Sequence, residues 1–144
     1  MSDLQNLYQE LILDHSRTPH GFGLRGEVVA QSHQVNPTCG DEVTLQVHRA
    51  DDGTIEAIAW EGHGCAISQA SASLLAELAE GLTVEELEMR IEVFREAMRS
   101  RGRIEPDEEL LGDVAALGGV SRYVARVKCA MLAWVAAEDA LHKG

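Results

Sequence analysis

Apolar residues recur three and four positions apart at the start of the chain, at Leu4, Leu7, Tyr8, Leu11 and Ile12. That spacing predicts an amphipathic helix. Ser2 or Asp3 can cap it, and Pro19 and Gly21 lie beyond its end. The pattern then changes period. A strand is predicted over Val28 to Val35, followed by a loop at Asn36-Pro37-Thr38-Cys39-Gly40. Val43, Leu45 and Val47 alternate with Thr44, Gln46 and His48, which predicts a strand with one buried and one solvated face. Asp51-Asp52-Gly53 reads as a hairpin turn, and Ile55 to Trp60 as the next strand. Gly62-His63-Gly64 is expected to break that strand just before Cys65.

Helical spacing returns after Cys65. One helix is predicted to about Ala79, with Gly81 as its stop signal. Thr83 with Glu86 forms a capping box for another, whose apolar face is Val84, Leu87, Ile91, Phe94 and Met98. The glutamates Glu85, Glu86 and Glu88 form its solvated side. A charged connection, Arg99 to Pro106, leads to a short helical piece over Asp107 to Ala116, punctuated by Gly118-Gly119. Ser121 is expected to cap a last, mostly buried helix reaching about Leu141. Trp60 and Trp134 are expected in the core. The order of helix, three strands, then helices predicts an α+β fold: a three-stranded antiparallel sheet packed by helices on one face.

Length and composition narrow this picture. The 144 residues, with no internal repeat, suit one domain over 1–144, and 45% apolar residues suffice for a core. The net charge of -12 argues against nucleic acid and anionic membranes as partners. The longest apolar run, Cys129 to Ala137, is too short to span a bilayer. The N-terminal stretch carries Asp3 and Glu10 and lacks the basic-then-apolar order of a signal peptide, so a cytoplasmic location is expected.

In a reducing compartment three well-separated cysteines point to metal or sulfur chemistry rather than disulfides. Cys39 lies in a turn, Cys65 at a helix start after two glycines, and Cys129 inside the last helix. The helix start favours a thiolate at Cys65. Arg126, three residues before Cys129 on the same helix face, would favour one there. Zinc takes a tetrahedral set of thiolate, imidazole or carboxylate ligands, so the three thiols leave one place. Asp41 and His63 both lie at suitable spacing, and spacing does not choose between them. The remaining histidines, His15, His20, His33, His48 and His142, suggest only structural or solvated positions.

The strings around these residues carry a resemblance. Leu7-Tyr8 with Asp14-His15 and Pro19, then Asn36-Pro37-Thr38-Cys39-Gly40-Asp41, resemble the SufU family. Gly62-His63-Gly64-Cys65-Ala66-Ile67-Ser68, Ala70-Ser71-Ala72-Ser73, Arg126-Val127-Lys128-Cys129-Ala130 and Leu132-Ala133-Trp134 do so too. The resemblance covers nearly the whole chain and implies the fold of the IscU-like scaffolds and the NifU N-terminal domain. It implies zinc on Cys39, Asp41, Cys65 and Cys129, which favours Asp41 over His63 and leaves His63 in support. It also implies a zinc-dependent sulfurtransferase of the SUF system. Cys39 would receive persulfide sulfur from a pyridoxal-phosphate-dependent, SufS-like cysteine desulfurase, and downstream SUF proteins would use it.

In the mechanism implied by the family, a partner histidine replaces Cys39 on zinc and frees it, while Arg126 steers or stabilises the thiolate. Two features separate this chain from IscU-type scaffolds. Lys128 stands where they carry histidine, and an insertion falls roughly within Thr83 to Asp113. The rival expectations are a scaffold that binds a nascent iron–sulfur cluster on the same cysteines, and a zinc-bearing adaptor that activates a desulfurase without accepting sulfur.

Overall fold

The fold is seen in a computed structural model, which describes residues 3–26, 30–37 and 40–143. Helix α1 is Asp3–Arg17, and strands β1 (Ala30–Asn36), β2 (Asp41–Arg49) and β3 (Ile55–His63) follow. Helices α2 (Ala66–Ala79), α3 (Val84–Arg99) and α4 (Glu108–Leu111) come next, then a 3₁₀ stretch Gly112–Arg122 and helix α5 (Val124–Lys143). The strands form an antiparallel meander in the order β1-β2-β3. Helix α5 lies across β1 and β2, α2 covers β3 and packs on α5, and α1 packs on α2. This is the α+β arrangement expected from the sequence.

The core forms where the period-2 faces of β2 and β3 meet the helices. Val43, Leu45, Val47, Ile58 and Trp60 are buried beneath Leu74, Leu75, Ala133 and Ala137. Helix α3 adds Leu87, Ile91, Phe94 and Met98, and its capping box of Thr83 and Glu86 is formed as predicted. Phe94 stacks on Trp134 with ring centroids 4.2 Å apart. Arg95 ties α3 to α5 by donating to Glu138 Oε1 at 2.7 Å, and it also donates to Glu92 Oε2 at 2.5 Å. The two buried indoles find partners, as aromatic N–H groups require. Trp134 Nε1 donates to Ser71 Oγ at 2.9 Å, and Trp60 Nε1 donates to the His20 carbonyl at 2.9 Å.

Several boundaries depart from the sequence reading. Strand β1 is described from Ala30 to Asn36, and the expected start at Val28 lies outside the described residues. Gln46 and His48, expected on a solvated face, are buried. The segment after α1 covers that face of β2. Gln46 accepts the Arg25 amide at 3.1 Å and donates to the Arg25 carbonyl at 3.2 Å, and His48 Nε2 bonds Gln46 Oε1 at 3.0 Å. The same segment protects the edge of β3, where the Trp60 amide donates to Gly21 and the Gly23 amide to Trp60.

Strand β3 does not stop at Trp60. It runs on to His63 because Gly62 stays in the ladder opposite Val43, and His63 pairs with Glu42. The pair Gly118-Gly119 does not end an element either. It lies within the 3₁₀ stretch, where a Cβ on Gly118 would sit 2.9 Å from Pro106 Cδ. Ser121 is not the cap of α5. Its hydroxyl donates back to the Gly118 carbonyl at 2.8 Å, while the Tyr123 carbonyl accepts from Arg126 and Val127 to start the helix. No described helix is long and apolar enough to cross a membrane.

Candidate metal centre

Three elements converge at one end of the sheet. The β1–β2 turn closes on the Asn36–Asp41 pair, with the Gly40 amide donating to the Asn36 carbonyl at 2.8 Å. Asp41 opens β2 and is only 1% exposed. Strand β3 ends beside it, and Gly64 then turns the chain so that Cys65 occupies the N-cap position of α2. Gly64 is a steric requirement. A Cβ there would lie 2.4 Å from Asp41 Oδ1 and 2.4 Å from Ser68 Oγ. Helix α5 brings up Cys129, 1% exposed, from the opposite side.

Ligand atoms of Asp41, Cys65 and Cys129 lie within 4.8 Å of one another. Asp41 Oδ1 accepts the Cys65 amide at 3.2 Å. Its Oδ2 is buried and has no hydrogen-bond partner among the described residues. A buried carboxylate oxygen left in that state is costly unless a cation completes it. Zinc–sulfur bonds of about 2.3 Å place tetrahedral thiolates about 3.8 Å apart, so a small contraction would close this set on an ion. Two thiols and one carboxylate are donors that fit zinc. The amide end of α2 adds positive potential where the negative ligands gather.

The other expected participants are placed differently. Cys39 lies outside the described residues; its neighbour Gly40 directly precedes Asp41. His63 does not join the cluster. Its side chain is 72% exposed and donates from Nε2 to Glu42 Oε1 at 3.0 Å. Arg126 and Lys128 are both exposed on the first turns of α5. Arg126 lines a cleft of about 610 Å³ together with Ile67, Ile104, Pro106, Arg122 and Tyr123. Its guanidinium makes no hydrogen bond or ion pair among the described residues, so it does not hold the buried thiol of Cys129 by direct contact.

Sequence reasoning missed Glu42. It receives His33 Nε2 at 2.5 Å and His63 Nε2 at 3.0 Å, from the strands on either side. The His33 bond first, and the His63 bond second, hold its carboxyl below the usual glutamate range. The signal was the alternation that puts His33, Glu42 and His63 on neighbouring strands, readable only once the register is known.

Comparison with known proteins places the chain in a family. The model of the NifU-like N-terminal domain matches residues 7–142. The chain belongs to that family. It is 38% identical, over 99% of its length and 87% of the relative, to the iron-sulfur cluster assembly scaffold protein IscU of Streptococcus pyogenes serotype M1. It is 36% identical, over 99% of its length and 94% of the relative, to the zinc-dependent sulfurtransferase SufU of Bacillus subtilis strain 168. Among solved structures it superposes with a TM-score of 0.76 on FiSufU of Fervidobacterium islandicum AW-1, described as a putative iron-sulfur cluster assembly scaffold protein for the SUF system. That pair is 35% identical, over 95% of this chain and 98% of the other. The SufU resemblance and the α+β expectation both hold, and the chain is a member of an iron–sulfur cluster assembly family.

Proposed function

We propose that this protein is a zinc-dependent sulfurtransferase that accepts persulfide sulfur from a cysteine desulfurase for iron–sulfur cluster assembly. Asp41, Cys65, Cys129 and Cys39 would hold the zinc, and Cys39 would receive the sulfur. The observation that carries this reading is the convergence of an Asp41 carboxylate oxygen with the thiols of Cys65 and Cys129, beside an Asp41 Oδ2 that is buried and has no hydrogen-bond partner among the described residues. A bound zinc would keep coordinated thiols deprotonated at neutral pH.

The chain's own residues divide the work. Asp41 anchors the site through the bond from the Cys65 amide, which ties β2 to the start of α2. Cys65 and Cys129 stand on helices and supply the rigid half of the ligand set. Cys39 belongs to the β1–β2 connection and supplies the nucleophile. Its thiolate attacks the outer sulfur of the desulfurase persulfide. A new S–S bond forms on Cys39, the donor S–S bond breaks, and the donor cysteine leaves as a thiolate. Arg126, exposed on the wall of the cleft beside Ile67, would draw the anionic persulfide toward the site.

The partner on this reading is a SufS-like, pyridoxal-phosphate-dependent desulfurase, with SUF assembly proteins downstream and the reducing cytoplasm as setting. Lys128, exposed beside Cys129, supports sulfur transfer over cluster binding, because an imidazole at that place would be a further ligand. A second reading is a scaffold that holds a nascent iron–sulfur cluster on the same cysteines. It is favoured by the 38% identity to the streptococcal relative that bears the scaffold name.

One experiment separates them. The protein is purified anaerobically, assayed for metal and labile sulfide, and incubated with desulfurase and cysteine. Sulfur transfer predicts colourless protein with one zinc and a persulfide mass increment on Cys39 that Cys39→Ala abolishes. Iron with labile sulfide and no increment would replace it with the scaffold reading. Zinc without the increment, but with desulfurase stimulation intact in Cys39→Ala, would leave only an adaptor.

A further inference from the structure

A second set of ligand atoms converges away from the thiols. His15, Glu77 and Asp113 each offer an atom within 4.8 Å of the others. They come from three separate elements: the last turn of α1, the last turn of α2 and the start of the 3₁₀ stretch. Glu77 is twelve residues beyond Cys65, which is about 18 Å along the axis of α2. The two sets therefore do not share an ion.

The imidazole is held from behind. His15 Nδ1 lies 2.6 Å from Oγ of Ser73, a residue with 0% exposure. The same hydroxyl oxygen accepts the His20 amide at 2.7 Å, which fixes it between α1 and the segment that follows. When Nδ1 carries the proton and donates to Ser73, Nε2 keeps a free lone pair. This is the support that metal-binding histidines use: one nitrogen bonded to a fixed acceptor, the other presented to the ion. Neither Glu77 nor Asp113 has a hydrogen bond or ion pair among the described residues. Two like charges are thus brought together beside an oriented imidazole, with no Lys or Arg paired to either among the described residues.

We propose that His15, Glu77 and Asp113 bind one first-row divalent cation. One imidazole nitrogen and two carboxylate oxygens suit Mn²⁺, Fe²⁺, Co²⁺ or Zn²⁺, with water in the remaining positions. Glu77 and Asp113 are exposed, so the ion would enter and leave freely. The donor sets would sort metals between them: the thiols select a softer ion, and this set admits a harder one.

The test uses the full chain with its thiol site loaded with zinc. Mn²⁺ is added in small steps and the amide spectrum is followed by NMR, since this ion disfavours thiolates and broadens nearby signals. Broadening should begin at His15, Glu77 and Asp113 below one equivalent and spare Cys129. His15→Gln and Glu77→Gln should each weaken the Mn²⁺ titration at least tenfold, while Glu85→Gln on the acidic face of α3 leaves it unchanged. Absence of saturable broadening, broadening that starts on α3, or a His15→Gln titration equal to that of the unaltered chain would overturn the proposal.

Discussion

Asp41 and Cys65 are joined by a hydrogen bond, from the Cys65 amide to Asp41 Oδ1 at 3.2 Å. That bond fixes the carboxylate at the start of α2 and leaves Oδ2 buried without a protein partner among the described residues. The strand that carries Asp41 and the helix that Cys65 begins therefore meet at a point that a cation would complete. The consequence is measurable. Asp41→Asn keeps an oxygen for the Cys65 amide but removes the anionic donor. Zinc affinity should fall at least about 100-fold, judged against the losses typical of even outer-shell changes. Stability of the metal-free protein should hold or rise, because a buried charge is gone. Competition with a chromophoric chelator, together with thermal melts of the stripped protein, reads both. Undiminished zinc affinity would remove Asp41 from the ligand set.

Gly64 supports the same point by its lack of a side chain. In Gly64→Ala the new Cβ would press on Asp41 Oδ1 and Ser68 Oγ at 2.4 Å. Overpacking of this kind costs about 1–3 kcal/mol. The melt should fall accordingly, and bound zinc should fall with it. Gly26→Ala is the control, since nothing lies within 4 Å of its Cβ position. Equal metal content in both variants would count against a tight coupling of Gly64 to the site.

The connection between α3 and α4 carries local strain at Arg101, whose φ is 58°. That left-handed conformation costs a non-glycine residue about 1–2 kcal/mol. Arg101 is exposed, and Arg101→Gly should relieve the strain. Glycine's greater freedom in the unfolded chain offsets part of the gain. A net stabilisation near 1 kcal/mol is expected, about 2–4 °C in Tm. Calorimetry of the zinc-loaded protein measures it, and a drop in Tm would show that the Arg101 side chain makes a contribution larger than the strain.

Asp139 links the end of α5 to β1. The Ser32 hydroxyl donates to it at 2.7 Å and the Lys143 ammonium lies at 3.0 Å; these, Ser32 foremost, hold its carboxyl below the ordinary aspartate range. A folded-state pKa below the unfolded one stabilises fully above the unfolded value, and the effect is lost as pH falls through the folded value. Ser32→Ala should therefore raise the Asp139 pKa and make stability less sensitive to acid. Carboxyl chemical shifts followed through the acid range test this. An unmoved Asp139 titration in Ser32→Ala would assign the lowering to Lys143.

Much of this was readable along the chain. The 3.6-residue spacing of Leu87, Ile91, Phe94 and Met98 had one physical outcome, an apolar helix face, and Thr83 with Glu86 could satisfy that helix's first amides without help from elsewhere. The alternation of Val43, Leu45 and Val47 likewise selects the face that α2 and α5 cover. Local chemistry acts over a few residues, so local sequence reports it.

What the sequence determined by itself was the kind of most elements and the candidate donors: three thiols, with a carboxylate and an imidazole competing for the fourth place. What only the tertiary structure decided was which donors meet. His63 and Asp41 were equivalent by spacing. The β2–β3 register turns His63 outward to Glu42 and leaves Asp41 buried against Cys65 and Cys129. The same holds for Gln46 and His48, whose polar face is covered by a segment some twenty residues away, and for His15, which meets Asp113 only because α1, α2 and the 3₁₀ stretch pack together. Such meetings depend on long-range packing, which lies outside the few-residue reach of capping and periodicity.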